Sequence, residues 1–430
     1  MFMKTAVLLN EDFLEMRLGV NTTLAYILAA LDLGRDVYLV DVRDGKKVQK
    51  LTKDSAQNLI DEYKKANLEL VETKFTNQKF VKEVEFELSD VDFDINDCDY
   101  LIQRLDPTHA PFPPKGNADY HEFLKEFLAD KKIKNQNFNY PVDCYLDKEF
   151  PVAINLDLEV KTWMSFIGDE TLVEKINVAR NFSTNSKIVL KPDNSGQSMG
   201  VFAVEFMFGG DNLPDLKEKG VENLQKLQIY HIEESLDKNE IEEVILYLLS
   251  CQSAKFNSSA KELYNSKIVI QPFIEGVSKG DIRVNIMKKG EEFEVAGVVF
   301  RKSLQDAQGD NFTTCVTGNM ALPTSVYEGL TKDEIDDLVL KANKIVDFLN
   351  DELREKYRRS FELGCDFTLK GDGKTVLLNE VNHLCPALVP VGEAIRRNDS
   401  NDDLYKRLRC KDFKYDGGLG LLKGLIKSWA

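Results

Sequence analysis

The chain has 430 residues, of which 43% are hydrophobic and 30% charged, with a formal net charge of −16. That length allows two or three domains with sizeable cores, and the balance is that of an ordinary globular protein. The negative charge excludes non-specific binding to nucleic acid or to anionic membranes, which need basic surface, but leaves room for a local basic pocket around a small anion.

Met1–Asn10 is strand-like with one lysine and does not read as a signal peptide. Residues 21–33 follow with helical spacing and end at Gly34, a C-cap residue, and residues 36–42 read as a second strand. This βαβ opening predicts a parallel sheet. The loop 10–19 lacks GxGxxG, so a dinucleotide fingerprint is absent. Next come a helix over 54–65, a strand over 79–88 and a buried strand over 100–104. Pro107, Pro111, Pro113 and Pro114 then enforce a loop. A helix over 120–128 and a polar loop over 131–139 precede a helix expected over 158–167. Ile188–Leu190 is a short strand that meets Lys191, followed by the small, polar, glycine-bearing stretch 193–200 and a strand over 201–206. Such a hairpin either lies plainly on the surface or folds over anionic oxygens, its backbone N–H groups pointing inward. It is not a P-loop, because GxxxxGK[ST] is missing.

Residues 209–265 are charged and helical in character. Residues 267–274 return to strand and meet Pro272, a natural hinge. Residues 280–287 and 293–301 predict an antiparallel pair, with Arg283 on the face of Asn285 and Arg301 at a strand end. A buried sheet face presenting arginines needs anions to pair with. The loop 303–319 is long and poor in apolar residues. Residues 331–356 predict a helix opened by a Thr331–Glu334 capping box.

Residues 363–370 and 375–381 predict a hairpin around Gly371 and Gly373. Glu380 and Asn382 share one face, about 7 Å apart along the strand. Asp366 lies on the other strand. Three oxygen-bearing side chains on neighbouring strands suit a hard cation such as Mg²⁺. A symmetric turn, however, sets Asp366 opposite Asn379, on the wrong face; an odd loop or a bulge would bring it round. Alone, the stretch reads first as a solvated edge hairpin with ordinary surface acids. Cys365 alternates to the opposite face, as a core residue. The seven cysteines contain no CxxC and read as reduced thiols of a cytoplasmic protein. His109, His121, His231 and His383 form neither HxH nor HExxH, so no zinc site is expected.

Five pieces recur in a recognisable order: LIQRLDP (101–107), IVLKPDNSGQSMGVF (188–202), IQPFIEGVSKGDIRV (270–284), LGCDF (363–367) and LNEVNHLCP (378–386). Together they resemble the ATP-grasp superfamily and, within it, the prokaryotic glutathione synthetases. The resemblance implies an α/β ATP-grasp fold in three parts. Residues 1–155 would be an N-terminal, Rossmann-like pre-ATP-grasp domain. Residues 156–272 would be a small lid domain with an extra helical segment at 209–265, and 273–430 the large catalytic domain. It further implies that Lys191 and Lys161 contact nucleotide phosphates, that Gly196, Met199 and Gly200 belong to a flexible loop over them, and that Gln271, Pro272 and Phe273 border the adenine. Arg283 and Arg301 would be the catalytic arginines. Asp366, Glu380 and Asn382 would hold one or two Mg²⁺ ions, with Mn²⁺ as a substitute. Asn311 and Gly318 would lie in the substrate loop.

The implied activity is ADP-forming ligation of a carboxylate to an amine through an acylphosphate. γ-Glutamylcysteine and glycine are the first-choice pair. Another peptide or amino-acid pair, or a silent nucleotide-binding regulatory module, are the alternatives. The partners are then small molecules, not nucleic acid or membrane, and the family suggests a homo-oligomer. Two places depart from the family pattern. The loop 309–318 keeps Asn311 and Gly318 but has no arginine and carries Asp310, and Glu-x-Asn runs on into His383-Leu384-Cys385-Pro386. Both fall where the substrates would bind. The 161-to-191 lysine spacing is also shorter, and the segment 209–265 longer, than in the family.

Overall fold

The computed structural model describes residues 3–10, 22–43, 47–72, 89–105, 135–137, 160–183, 185–192, 200–256, 258–264, 267–290, 292–303, 321–351, 362–382, 395–396, 402–410, 419, 422–423 and 426–427. Three β-sheets follow one another along the chain. The first holds β1 (Lys4–Leu9), β2 (Asp36–Asp41), β3 (Lys47–Leu51), β4 (Ser89–Asp90), β5 (Tyr100–Gln103) and β6 (Asn135–Asn137) in the order β4-β3-β2-β1-β5-β6. β1 pairs in parallel with both β2 and β5, as the βαβ opening predicts. The helix Thr22–Asp32 supplies Leu24, Ile27, Leu28 and Leu31 to the core behind it. Leu419, Leu422 and Ile426 join this same core, and Lys423 bonds Asp32 at 2.7 Å, so the chain's end packs on the first sheet.

The second sheet has β7 (Trp163–Ser165), β8 (Lys187–Pro192), β9 (Phe202–Met207), β10 (Ile229–Glu233) and β11 (Ile268–Pro272), ordered β10-β9-β8-β11-β7. Two expectations change here. The helix expected over 158–167 is instead the strand β7 from Trp163 to Ser165, antiparallel to β11 with Ile270 opposite Trp163. A partner edge decides such a short apolar run over its own spacing. The segment 209–265 is not all helix, because β10 extends the sheet parallel to β9. Its helices Leu213–Lys219 and Lys238–Ala254 bury Leu216, Val244, Ile245 and Leu248 against Leu190, Phe202 and Ile270. The segment therefore supplies much of this sheet's core.

The third sheet is wholly antiparallel: β12 (Gly280–Lys289), β13 (Glu292–Ser303), β14 (Ala321–Thr324), β15 (Glu362–Leu369) and β16 (Val376–Asn382), ordered β14-β13-β12-β15-β16. One face is apolar. Ile282, Val284, Ile286, Leu363, Cys365 and Phe367 pack with Leu338, Ala342 and Ile345 of the helix Lys332–Asp351. The Thr331 capping box is present: Glu334 N–H donates to Thr331 Oγ1 at 3.2 Å and Thr331 N–H to Glu334 Oε2 at 2.8 Å. Thr331→Ala should cost about 0.5–2 kcal/mol, measurable as a lower denaturant midpoint with unchanged slope. The other face carries the polar residues of the next subsection. Among the described residues no helix is long and apolar enough to cross a membrane. The strand expected over 79–88 and the helix over 120–128 lie outside the described residues.

Candidate active site

The third sheet gathers its charges through two β-bulges. Around the β12–β13 turn the pairing begins with Lys289 opposite Glu292 and Ile286 opposite Val295, then shifts so that Asn285 faces Gly297. Ala296 is the extra residue. Without it Arg301 would align with Gly280, on the apolar face; with it Arg301 lies opposite Asp281. The β15–β16 hairpin repeats the device. Phe367 faces Leu378, but Asp366 faces Glu380, leaving Asn379 as the extra residue. The bulge meets the register condition, because Asp366, Glu380 and Asn382 now share a face. Without it Glu380 would sit opposite Cys365 in the core.

The resulting contacts are tight. Asn382 Nδ2 donates to Asp366 Oδ2 at 2.9 Å and to Glu380 Oε1 at 3.4 Å. Arg283, opposite Asp366 in register, donates to it through Nε and through Nη2, the latter at 2.7 Å. Arg301 donates from Nε to Asp281 Oδ1 at 2.6 Å and from Nη2 to Asp281 Oδ2, and that same Nη2 lies 3.2 Å from Asp366 Oδ1. Burial alone would raise the Asp366 carboxyl, but Arg283 and Arg301 outweigh it and hold the group below its ordinary value. Asp281 goes the other way: burial, against the pull of Arg301, lifts it to about 6. Burial would lower Arg301, yet Asp281, Asp366 and Glu380 together hold it above its ordinary range.

The donor chemistry fits Mg²⁺. Among the described residues no three His, Cys, Asp or Glu side chains cluster as a metal cage. The set here is two carboxylates and one amide, which suits an ion that keeps its remaining positions for phosphate and water. Arg283 and Arg301 favour the ionised form of Asp366, and Asn382 bonds both Asp366 and Glu380. Cys365 lies in the core behind them, where burial pushes its thiol up.

The second sheet approaches from the other side. Lys191, near the end of β8, is buried and donates from Nζ to Asn379 Oδ1 at 3.0 Å. The bulge residue thus joins the two sheets. Val160 N–H donates to the Leu378 carbonyl at 2.9 Å. Gln271 is buried and donates to Thr162 Oγ1 at 2.8 Å; Pro272 ends β11, and Phe273 N–H bonds the Lys187 carbonyl at 2.9 Å. Gly200 needs its glycine: φ is +71°, and a Cβ would meet Leu263 Cδ2 at 2.8 Å and Tyr264 Oη at 3.0 Å. Tyr264 also donates to the Gly200 carbonyl at 2.6 Å, so the segment 209–265 anchors the end of the glycine stretch.

Gly200, Gln271, Pro272 and Phe273 stay within the second sheet and its helical segment, and no described contact brings Lys161 into the cluster. The Lys161 ammonium lies 4.1 Å from the centroid of the exposed Phe182 ring. Gly196, Met199, Asn311, Gly318, Asp310 and His383 lie outside the described residues. Two residues were missed. Asp281 pairs with Arg301 and was readable as the acid of Gly-Asp-x-Arg. Asn379 had no signal, since only the bulge gives it a partner.

No protein-family model matches the chain, and no curated protein does. Solved structures do. The D-Ala:D-Ser ligase VanG from Enterococcus faecalis superposes over 100% of this chain and 100% of its own, with TM-score 0.51 and 14% identity. D-alanyl-alanine synthetase A from Vibrio cholerae O1 matches 96% of this chain and 100% of its own, with TM-score 0.47 and 12% identity. The end-to-end match to the D-Ala:D-Ser ligase, with the three sheets in chain order, gives this chain the mixed α/β ATP-grasp fold.

Proposed function

We propose that the chain is an ATP- and Mg²⁺-dependent, ADP-forming carboxylate–amine ligase working through an acylphosphate. The observation that carries this reading is the double bulge, which turns Arg301, Glu380 and Asn382 onto the face of Arg283 and Asp366. A plain antiparallel sheet would have hidden them in a core. Arg283 and Arg301 bind the transferred phosphoryl group and the acyl carboxylate. Asp366 and Asp281 fix the two guanidinium planes, so that little reorganisation is needed during transfer. Lys191 binds nucleotide phosphates from the lid side, and Gln271, Pro272 and Phe273 border the base. Asp366, Glu380 and Asn382 would hold Mg²⁺, which when bound neutralises phosphate charge. No nucleophilic Ser or Cys is required, because phosphoryl transfer rests on positioning and charge. The glycine stretch ending at Gly200 excludes water from a labile intermediate.

γ-Glutamylcysteine with glycine is the first substrate pair to test. A different peptide or amino-acid pair is the second reading, favoured by Asp310 and by His383–Pro386 standing where the family pattern differs. Incubation with ATP, Mg²⁺ and panels of acyl donors and amines, following phosphate release, decides between them. Release that needs γ-glutamylcysteine and glycine together supports the first pair, and release with another pair moves the substrate. No release with any pair, or AMP as product, sinks the ligase reading.

Asn379 gives an independent check. Its Oδ1 accepts from the Lys191 ammonium and so fixes where that charge sits. Asn379→Ala should raise the KM for ATP about tenfold with a smaller change in kcat, since a hydrogen bond to a charged group is worth about 1.5–3 kcal/mol. A lower KM would show that the amide competes with phosphate.

A further inference from the structure

The Asp366 carboxylate is supplied with donors by the chain itself. Its Oδ1 accepts from Arg283 Nε and lies 3.2 Å from Arg301 Nη2. Its Oδ2 accepts from Arg283 Nη2 at 2.7 Å and from Asn382 Nδ2 at 2.9 Å. An ionised carboxylate offers about four acceptor positions, and guanidinium and amide hydrogens take them. Asn382 turns the same NH2 toward Glu380 Oε1 at 3.4 Å. Between two carboxylates the NH2 end of an amide must face them, since its oxygen would be repelled. Yet an amide ligates a hard cation through its oxygen. Arg301 is the other substitute. Its Nη2 is shared between Asp281 and Asp366, and the charge of Glu380 draws it as well. The cation among these acids is thus the protein's own, a guanidinium helped by an amide NH2. Glu380 and Asn382 are only half-buried, so the outer side of this cluster meets solvent.

We propose that metal and phosphate bind this cluster as a coupled pair, because Arg301 occupies Asp366 until an anion draws its Nη2 away. The identity of the two ligands rests on the ligase reading. An anion competes with Asp366 for Arg301 Nη2, while the 2.6 Å bond from Arg301 Nε to Asp281 Oδ1 holds the guanidinium in the site as a pivot. Asp366 Oδ1 then loses one donor, and Arg283 keeps the carboxylate oriented. The ion takes the freed position, and the Asn382 amide turns its oxygen toward it. Metal alone must displace a buried, charge-assisted contact with nothing to receive the guanidinium, so it binds weakly. The coupling is reciprocal: the factor by which the anion strengthens metal binding is the factor by which metal strengthens anion binding.

The test uses the full-length protein, with Mn²⁺ followed as the free ion by electron paramagnetic resonance and ADP as the anion. The variants are Arg301→Gln, which removes the competing guanidinium, and Lys191→Gln, which removes the lid-side cation bonded to Asn379. With Mn²⁺ alone, Arg301→Gln should bind at least about tenfold more tightly than wild type, the effect of releasing one charged hydrogen bond, and Lys191→Gln within about twofold. Saturating ADP should strengthen Mn²⁺ binding by wild type. That gain, corrected for the Mn²⁺–ADP complex in solution, should be about tenfold smaller in Arg301→Gln. A second reading needs no variant: Mg²⁺ at about 5 mM should move the wild-type Tm by less than about a degree alone, and should raise it well beyond the ADP value when ADP is present. No tighter binding in Arg301→Gln, or an equal gain in Lys191→Gln, overturns the proposal. So does a Tm that Mg²⁺ raises equally with and without ADP. In these cases bound ADP leaves the ligase reading standing. Tighter Mn²⁺ binding in Arg301→Gln with no ADP binding by any form supports the exchange at Asp366 and overturns the ligase reading. Neither Mn²⁺ nor ADP bound by any form overturns both.

Discussion

Glu380→Gln is expected to remove ligase turnover by about 10³-fold or more while leaving the Tm within a degree or two of wild type. The size comes from comparing what changes with what does not. Gln keeps the volume, the half-buried position beyond the Asn379 bulge and a capacity to bond the Asn382 amide. It takes away one of two carboxylates in a set whose third member is an amide. Charge stabilisation of a phosphoryl transition state by one well-placed group is worth about 3–4 kcal/mol, and weaker metal binding adds to the loss. Phosphate release in the presence of the productive substrate pair reads the activity, and circular dichroism reads the fold. Raising Mg²⁺ should recover part of the lost rate if the defect is affinity. Near-normal turnover at ordinary Mg²⁺ would remove the metal assignment, because a neutral amide does not replace a carboxylate on a hard cation.

The elements that build this site were legible where periodicity is strong, and the site's closure was not. The βαβ opening, the β8–β9 hairpin, the β12–β13 pair and the capped helix Lys332–Asp351 all follow from spacing and punctuation. Arg283, Asp366 and Glu380 were legible as residues. Their convergence was not, because an extra residue in a strand has no compositional signature: Ala296 and Asn379 look like any strand residue. A symmetric turn would have sent Glu380 to the side of Cys365, and only the pairing shows the shift. β7 and β10 were obscured for a related reason, since both are short and take their form from β11 and β9.

Arg104→Ala should destabilise the protein by about 3–5 kcal/mol, more than any surface change, although Arg104 belongs to the first sheet and touches no candidate ligand. The Arg104 Nη1 donates to Glu362 Oε1, Nε donates to Thr23 Oγ1 at 3.2 Å, and Tyr26 donates to Glu362 Oε2 at 2.9 Å. Both charged residues are under 5% exposed. This buried cluster joins the end of β5 to the start of β15, four residues before Asp366. Removing the arginine takes its cationic partner from a buried carboxylate. The effect also has a pH signature. Burial already raises Glu362 above its ordinary 4.5, with Arg104 and the Tyr26 hydroxyl opposing it. A carboxyl raised on folding binds its proton more tightly in the native state, so its stabilisation is greatest at low pH and is lost as pH rises through the folded value. Losing Arg104 raises that value further, so the destabilisation should be smaller at pH 5 than at pH 8. Denaturant midpoints of wild type and variant at the two pH values measure it. The double variant Arg104→Met, Glu362→Leu should recover most of the loss, since two apolar groups leave no charge unpaired. Equal destabilisation at both pH values, or no recovery in the double variant, would show that packing against Tyr26 rather than the ion pair holds these two sheets together.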